Sequence, residues 1–360
     1  MRLLFFGTYD ARRHPRVEVL AEGFRANGDT VEECNVPLGL DTDERVRMLK
    51  QPWRLPLLAV RVLAAWVRLW LRARRLGAPD AVVVGYLGQA DVRLARRLWP
   101  TTPLVLDYLV SLSDTATDRA AGGSAVNRLL RRADADATRA SDVVAIDTEE
   151  QRVTVYAAPR DAVVVVPVGA PGWWFRAPAP LDPEPLRVAF FGLYTPLQGT
   201  PVIGRALGLL ADEPGIHVTM IGTGQDHAET VALARGNANV TWIDRLAPDA
   251  LADAVAAHHV CLGVFGTGPK ALRVVPNKVY QGAAAGCVVV TSDTAPQRRM
   301  LGDVAVYVPP GDAEALATAL RDLAHDPARV ATLRQRGYVL ADTAFRPAQV
   351  VTPLRERLAR

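Results

Sequence analysis

Residues 266–286 hold the densest set of groups able to do chemistry: Gly266, Lys270, Arg273, Asn277, Lys278 and Gln281. Pro276 suits the first turn of a helix. A helix starting there offers free backbone N–H groups and a partial positive charge. Lys278 adds a full charge in the first turn, with Arg273 close by in sequence. A helix N-terminus carrying such cations is a physical site for a diphosphate. Gln281 follows Lys278 by three positions and Asn277 by four, on the same face. Its amide can both donate to and accept from ribose hydroxyls. Only three lysines occur in the chain, Lys50, Lys270 and Lys278, and two of them fall in this stretch. The plainer alternative is a basic surface helix start.

Three glycine loops follow apolar runs. Phe191-Gly192 leads to Leu197-Gln198-Gly199, and Ile221-Gly222-Thr223-Gly224 leads into a helical pattern. Each is a weak signal alone, but two at strand ends of one sheet suggest phosphate or sugar contact. In the first half, Phe6-Gly7-Thr8-Tyr9-Asp10 lets backbone approach a ligand, and Arg12, Arg13, His14 and Arg16 follow, a basic set for an anionic acceptor or a solvated loop. G-x-G-x-x-G is absent, so no dinucleotide fingerprint is read. Activating a hydroxyl needs a base. Asp107 and Asp114 are the candidates, with Asp118 and Arg119 beside them; an N-cap or structural role is the alternative for each. Asp41-Thr42-Asp43 and Asp134-Ala135-Asp136 match a bare D-x-D but read as surface charge, and no metal site is expected. His258-His259 reads as structural.

These residues need elements to hold them. Runs read as strands are 2–6, 30–34, 81–84, 104–106, 142–146 and 162–166, then 187–191, 216–221, 239–243, 259–264, 287–291 and 304–308. Continuous runs such as Val163–Val166 and Val288–Val290 fit strands covered on both faces. Helical patterns between them include 15–27, 124–139, 198–212 and 312–325. This alternation implies α/β architecture with parallel sheets and right-handed crossovers. The expectation is two doubly wound, Rossmann-like domains facing a cleft: 1–170, a Pro-rich linker at 171–186, and 187–345, followed by a final segment, 346–360. Ligands of open α/β sheets bind outside the carboxyl ends of the strands. Arg245, just after 239–243, is a further candidate.

Segment 53–76 stands apart. Trp53, Trp66 and Trp70 sit among leucines, and Arg54, Arg61, Arg68, Arg72 and Arg75 share one helical face. Two arginines inside Leu55–Leu71 argue against a membrane span. A surface helix with solvated arginines and an amphipathic helix on an anionic membrane both remain open.

Composition sets the outer bounds. The chain has 360 residues, 49% hydrophobic and 22% charged, which suits about two globular domains. A net charge of +4 is too small to argue for nucleic acid. Cys34, Cys261 and Cys287 are scattered and odd in number, which fits a reducing cytoplasm. The apolar run at the N-terminus is too short for a signal peptide.

At Pro276-Asn277-Lys278-Val279-Tyr280-Gln281 through Gly286, with Val288-Val289-Val290-Thr291 behind, the sequence resembles retaining glycosyltransferases of the GT-B fold, family 4. Phe191 to Gly199 resembles that family's G-x-x-x-x-K-G loop, and Gly222-Thr223-Gly224 its next glycine turn. There are departures: Gln198 replaces the loop lysine, and Arg273 and Gln281 replace the two glutamates of E-x₇-E. The resemblance implies a subgroup with Gln as the second donor-site residue, in which Lys270, Arg273 and Lys278 supply phosphate charge and Lys278 has a catalytic part. It implies metal-independent, retaining transfer of a hexose from a nucleoside-diphosphate sugar, UDP favoured and GDP next. No further cofactor is implied. The resemblance assigns the acceptor to 1–170 and the donor, with Arg245 among its contacts, to 187–345, and has 346–360 cross back to the N-terminal domain. The acceptor is a hydroxyl of a lipid-linked, envelope-glycan or natural-product molecule, met near Gly7, Thr8, Tyr9, Arg13, His14, Asp118 and Arg119. The protein is expected in the cytoplasm, with 53–76 able to reach the inner face of the plasma membrane. A sugar-nucleotide epimerase, a phosphorylase and a non-catalytic nucleotide-sugar binder are the alternatives.

Overall fold

The computed structural model describes residues 1–10, 15–39, 55–118 and 124–360. Arg12, Arg13, His14, Arg119, Asp41-Thr42-Asp43, Lys50, Trp53 and Arg54, all named from the sequence, lie outside the described residues. The chain forms two compact units, Met1–Pro167 with Pro347–Arg360, and Val168–Arg346.

The first unit runs β1 (Arg2–Gly7), α1 (Pro15–Ala26), β2 (Thr30–Asn35), α2 (Leu55–Ala73), β3 (Ala81–Val84), α3 (Asp91–Leu98), β4 (Leu104–Asp107), α4 (Leu112–Asp118), α5 (Ser124–Arg139), β5 (Val143–Ile146) and β6 (Val163–Val165). Its sheet is parallel, in the order β2-β1-β3-β4-β5-β6. Period-two alternation sends Leu4, Phe6, Val82, Val84, Leu104, Leu106, Val144 and Ile146 to one face, under Ala65, Leu69, Val92, Ala95 and Ala137 of α2, α3 and α5. Leu3, Phe5, Val83, Val105 and Ala145 line the other face with Val17, Leu20 and Phe24 of α1.

The second unit runs β7 (Leu186–Phe191), α6 (Thr200–Leu209), β8 (Ile216–Ile221), α7 (His227–Leu233), β9 (Val240–Ile243), α8 (Pro248–Ala256), β10 (Val260–Leu262), α9 (Asn277–Ala284), β11 (Val288–Ser292), α10 (Ala295–Leu301), β12 (Val306–Val308), α11 (Ala313–His325) and α12 (Pro327–Leu340). The parallel order is β12-β11-β10-β7-β8-β9, so the strand order reverses between β7 and β10. Both sheets are doubly wound α/β. The chain then returns to the first unit as α13 (Pro347–Val350) and α14 (Thr352–Leu358), where Val350, Val351 and Leu354 join the α1 face. A Cβ on Gly23 of α1 would lie 2.2 Å from the Pro347 carbonyl oxygen, so glycine permits this approach.

The Pro-rich stretch 171–186 lies along the second unit. Trp174 is buried and stacks on Phe191 at 5.3 Å, the Arg176 backbone N–H donates to Ala284, and Arg334 Nη1 donates to Ala179. Proline density predicts extended backbone, but the aromatic side chains within the stretch seat it on the domain.

Candidate functional site

The loops after β7, β8 and β10 meet at the carboxyl ends of their strands, where the strand order reverses. Their contact is backbone against backbone, which is why glycines occupy it. Gly222 adopts φ +126°, and a Cβ there would meet the Gly192 carbonyl oxygen at 2.0 Å. Gly199 adopts φ +64°, and a Cβ there would lie 2.4 Å from the Gly266 nitrogen. Phe265 N–H donates to the Gln198 carbonyl at 3.0 Å, and Tyr194 bridges to Gly224. Gly222→Ala is expected to destabilise the unit by about 1–3 kcal/mol, from backbone strain at positive φ. Chemical denaturation of the variant checks this; an unchanged midpoint would show that the loop contact yields freely.

Lys278 is the centre of this region. It stands in the first turn of α9, is 4% exposed, and its Nζ lies 3.6 Å from the centre of the Phe190 ring. A Cβ on Gly192 would sit 3.2 Å from the same Nζ. The ammonium has no hydrogen-bond partner. Burial pushes its pKa well below the usual lysine value, with the nearby Cys261 thiol the only opposing influence. A buried cation set against aromatic faces with no hydrogen-bond partner is an arrangement an anion would complete. Phe190 was not singled out from the sequence. Its place on the core side of β7 was readable from alternation, but its pairing with a residue 88 positions on was not.

The other donor-side candidates distribute around Lys278. Asn277 opens α9, while Pro276 is the N-cap, with extended φ and ψ, and not a first-turn residue as the sequence suggested. Gln281 is buried on α9. Lys270 and Arg273 are half-buried in the turn that precedes α9, where Arg273 N–H donates to the Lys270 carbonyl at 3.1 Å. Gln198 keeps a buried side-chain oxygen without a hydrogen-bond partner, and Thr294 at the N-cap of α10 keeps a buried hydroxyl in the same state. Thr294 is a polar group the sequence reading missed. Arg245 is exposed in the loop after β9. Cys261 is buried, and its thiol pKa is pushed up to about 12 by burial. His258 and His259 are structural: His258 bonds Ala254 and Thr219, and His259 Nδ1 accepts from Arg187 N–H at 2.9 Å, its pKa lowered to about 4 by burial. Among the described residues, no group of three or more His, Cys, Asp or Glu is placed to hold a metal.

In the first unit the structure commits several acceptor-side candidates to the scaffold. Gly7 has φ +141°, with Asp91 beside it. Thr8 donates from both N–H and Oγ1 to Asp91 Oδ2 at 2.8 Å, and Trp66 Nε1 donates to Oδ1 at 2.8 Å. Tyr9 is 2% exposed, its hydroxyl 3.3 Å from Glu33, and burial raises its pKa. Arg16, read as part of a basic loop, is buried instead: its Nε donates to Asp107 Oδ1 at 3.0 Å, and its Nη1 donates to the Val166 and Pro167 carbonyls. Asp107 is therefore an enclosed partner of Arg16, its carboxyl raised by burial and lowered in turn by the guanidinium. Asp114 and Asp118 lie half-buried on α4.

Asp134 is a further correction. It is fully buried, not surface charge, and accepts from Ser111 Oγ at 2.9 Å, Leu112 N–H at 3.0 Å, Ser113 N–H at 3.0 Å and Ser113 Oγ at 3.0 Å. It thus caps the start of α4 from α5 and holds the loop that carries Asp114. Asp136 is half-buried and pairs with Arg93 and Arg139.

Residues 185–326 match the family model described as Glycosyl transferases group 1. That stretch is similar to glycosyltransferase group 1 domains. It contains the glycine loops at 192–199 and 222–224, Lys270, Arg273, Lys278 and Gln281. No curated protein matches the sequence. Solved structures are similar over the full length. Anabaena Alr3699/HepE in complex with UDP is 14% identical, with all of both chains covered and a TM-score of 0.69. Sucrose-phosphate synthase from Thermosynechococcus elongatus is 15% identical, covering 98% of this chain and 97% of that one, with a TM-score of 0.74. Trehalose-6-phosphate synthase OtsA is 14% identical, covering 100% of this chain and 99% of that one, with a TM-score of 0.68. At these identities the likeness is one of fold, and the fold is GT-B.

Proposed function

We propose that the chain is a retaining, metal-independent glycosyltransferase of the family 4 type. It moves a hexose from a nucleoside-diphosphate sugar, UDP before GDP, to a hydroxyl of a lipid-linked, envelope-glycan or natural-product acceptor. The observation that carries this reading is the buried, unpartnered Lys278 ammonium at the carboxyl end of β7. It is supported by the similar HepE structures, which are described in complex with UDP and with UDP-glucose.

In this reading the bond from the anomeric carbon to the diphosphate oxygen breaks, and its electron pair leaves with the diphosphate. Lys278, with Lys270, Arg273 and the first N–H groups of α9, meets the charge that develops there. Asn277 and Gln281 address the nucleotide, Gln281 at the ribose hydroxyls. Gly192, Gln198, Gly199, Gly222, Gly224 and Gly266 shape the backbone around it, and Arg245 lies at its outer edge. The acceptor oxygen forms the new bond to the anomeric carbon and gives up its proton. Asp114, half-buried on α4, is the candidate base, and Asp107 serves as the enclosed partner of Arg16. Gly7 and Asp118 remain acceptor-side residues, and Thr8 and Tyr9 act by shaping that surface. The protein works in the cytoplasm, with 53–76 at an anionic membrane surface.

Calorimetry with UDP, GDP, dTDP, CDP and ADP tests the donor site. One diphosphate, UDP, is expected to bind with unit stoichiometry and to be released from the matching sugar nucleotide when acceptor is present. Binding of none would overturn the reading. Binding without any turnover would reduce the protein to a nucleotide-sugar binder.

A further inference from the structure

We propose that α2 docks the protein on an anionic bilayer through its outer apolar stripe, lying in the plane of the membrane. The inference deepens the lipid-linked acceptor class proposed above and rests on that reading for its purpose, not for its geometry. One side of α2 is fastened to the sheet: Ala65, Leu69 and Ala73 are buried, and Trp66 holds Asp91. The helix therefore cannot turn its opposite side inward. That opposite side is apolar and in solvent: Leu57 is 50% exposed, Val60 61%, Leu63 58%, Val67 58%, Trp70 40% and Leu71 51%. At 3.6 residues per turn these six, with Ala59 and Ala64, sweep an arc of roughly 160°. Globular proteins seldom leave so continuous an apolar strip in water without a partner.

Charge selects the partner. Arg61, Arg68 and Arg72 form a narrow exposed stripe along one border of the apolar arc, and Arg74 lies over the Trp70 ring at 4.5 Å. Residues 45–79 contain nine of the 42 Lys and Arg and none of the 38 Asp and Glu. That segment is net +9 while the rest of the chain is net −5. A second copy packed on this face would set arginine stripe near arginine stripe, which repels. An anionic lipid surface offers acyl chains to the stripe and phosphates to the arginines at once. Among the described residues, no helix is long and apolar enough to cross a membrane, so docking is in-plane.

The test is co-sedimentation of the full chain with vesicles of phosphatidylcholine alone, and of phosphatidylcholine and phosphatidylglycerol in equal parts. The wild type is expected to favour the anionic vesicles by roughly tenfold or more. Leu63→Glu with Val67→Glu is expected to lose vesicle binding. Arg61→Gln with Arg68→Gln and Arg72→Gln is expected to lose the anionic preference. All these positions are exposed, so both variants should retain the wild-type affinity for UDP. Equal binding by the Leu63/Val67 variant, or no binding by the wild type, overturns the proposal, as does self-association through α2 without vesicle binding. If vesicle docking fails while UDP still binds, the docking inference falls and the transferase reading stands. If UDP fails to bind while docking persists, the reverse holds.

Discussion

Lys278→Met is expected to stabilise the ligand-free protein while weakening nucleoside diphosphate binding by roughly ten- to a hundredfold. The two effects share one cause. The ammonium is enclosed without a hydrogen-bond partner, over the Phe190 ring. Leaving a buried polar group unsatisfied costs about 1–3 kcal/mol, which a methionine of similar length removes. A bound diphosphate would supply the missing acceptor, and a hydrogen bond to a charged group contributes about 1.5–3 kcal/mol. The pH dependence has a definite sign. The folded-state pKa lies well below the ordinary value of 10.5. Between those two values the unfolded chain binds the extra proton. Wild-type stability therefore rises with pH across that window, and the methionine variant lacks the rise. Thermal unfolding of both proteins at neutral and alkaline pH checks this. Calorimetry in buffers of different ionisation enthalpy adds a second readout, because diphosphate binding should draw a proton onto Lys278. A methionine variant less stable than wild type at neutral pH, yet binding UDP equally well, would remove Lys278 from the site.

The second large effect belongs to the first unit. Arg16→Met is expected to destabilise the protein by about 3–5 kcal/mol, the usual consequence of removing one partner of a buried ion pair. Asp107 would stay enclosed with no cation, and the Val166 and Pro167 carbonyls would lose their donor. The double variant Arg16→Met with Asp107→Leu should recover much of the loss, since a buried pair replaced by apolar groups is often neutral. Burial already raises the Asp107 pKa, and the guanidinium opposes it. Without Arg16 only burial remains, so the folded chain favours the protonated carboxyl. The loss in Arg16→Met is therefore smallest in acid and grows as pH rises from the ordinary aspartate range towards neutrality. Urea midpoints at mildly acidic and neutral pH measure this. A loss below about 1 kcal/mol at neutral pH would show that the pair is not buried in solution.

What the sequence by itself determined is local in origin. Continuous valines at 163–166 and 288–290 announce strands; β11 is covered on both faces as expected, whereas β6, at the edge of its sheet, leaves Val164 and Val165 only half-buried. Glycines directly after Phe191 and Ile221 mark loops read as phosphate or sugar contacts, whereas the packing of Gly222 against the Gly192 backbone is known only from the structure. The Pro276-to-Gly286 pattern locates α9 and its cations, because cap, charge and helical spacing all lie within one stretch. Tertiary structure alone decided which charges remain available and which faces look outward. Arg16 is spent on Asp107, 91 positions away, Thr8 on Asp91, and Asp134 on the Ser111–Ser113 loop. The arginines of α2 share a face by spacing, but that an apolar arc beside them also faces solvent depends on which side packs against the sheet. Lys278 is a first-turn cation by sequence and an enclosed one only because Phe190 closes over it. Periodicity relates a residue to its own element, whereas burial and pairing are set by contacts across the chain, which spacing does not encode.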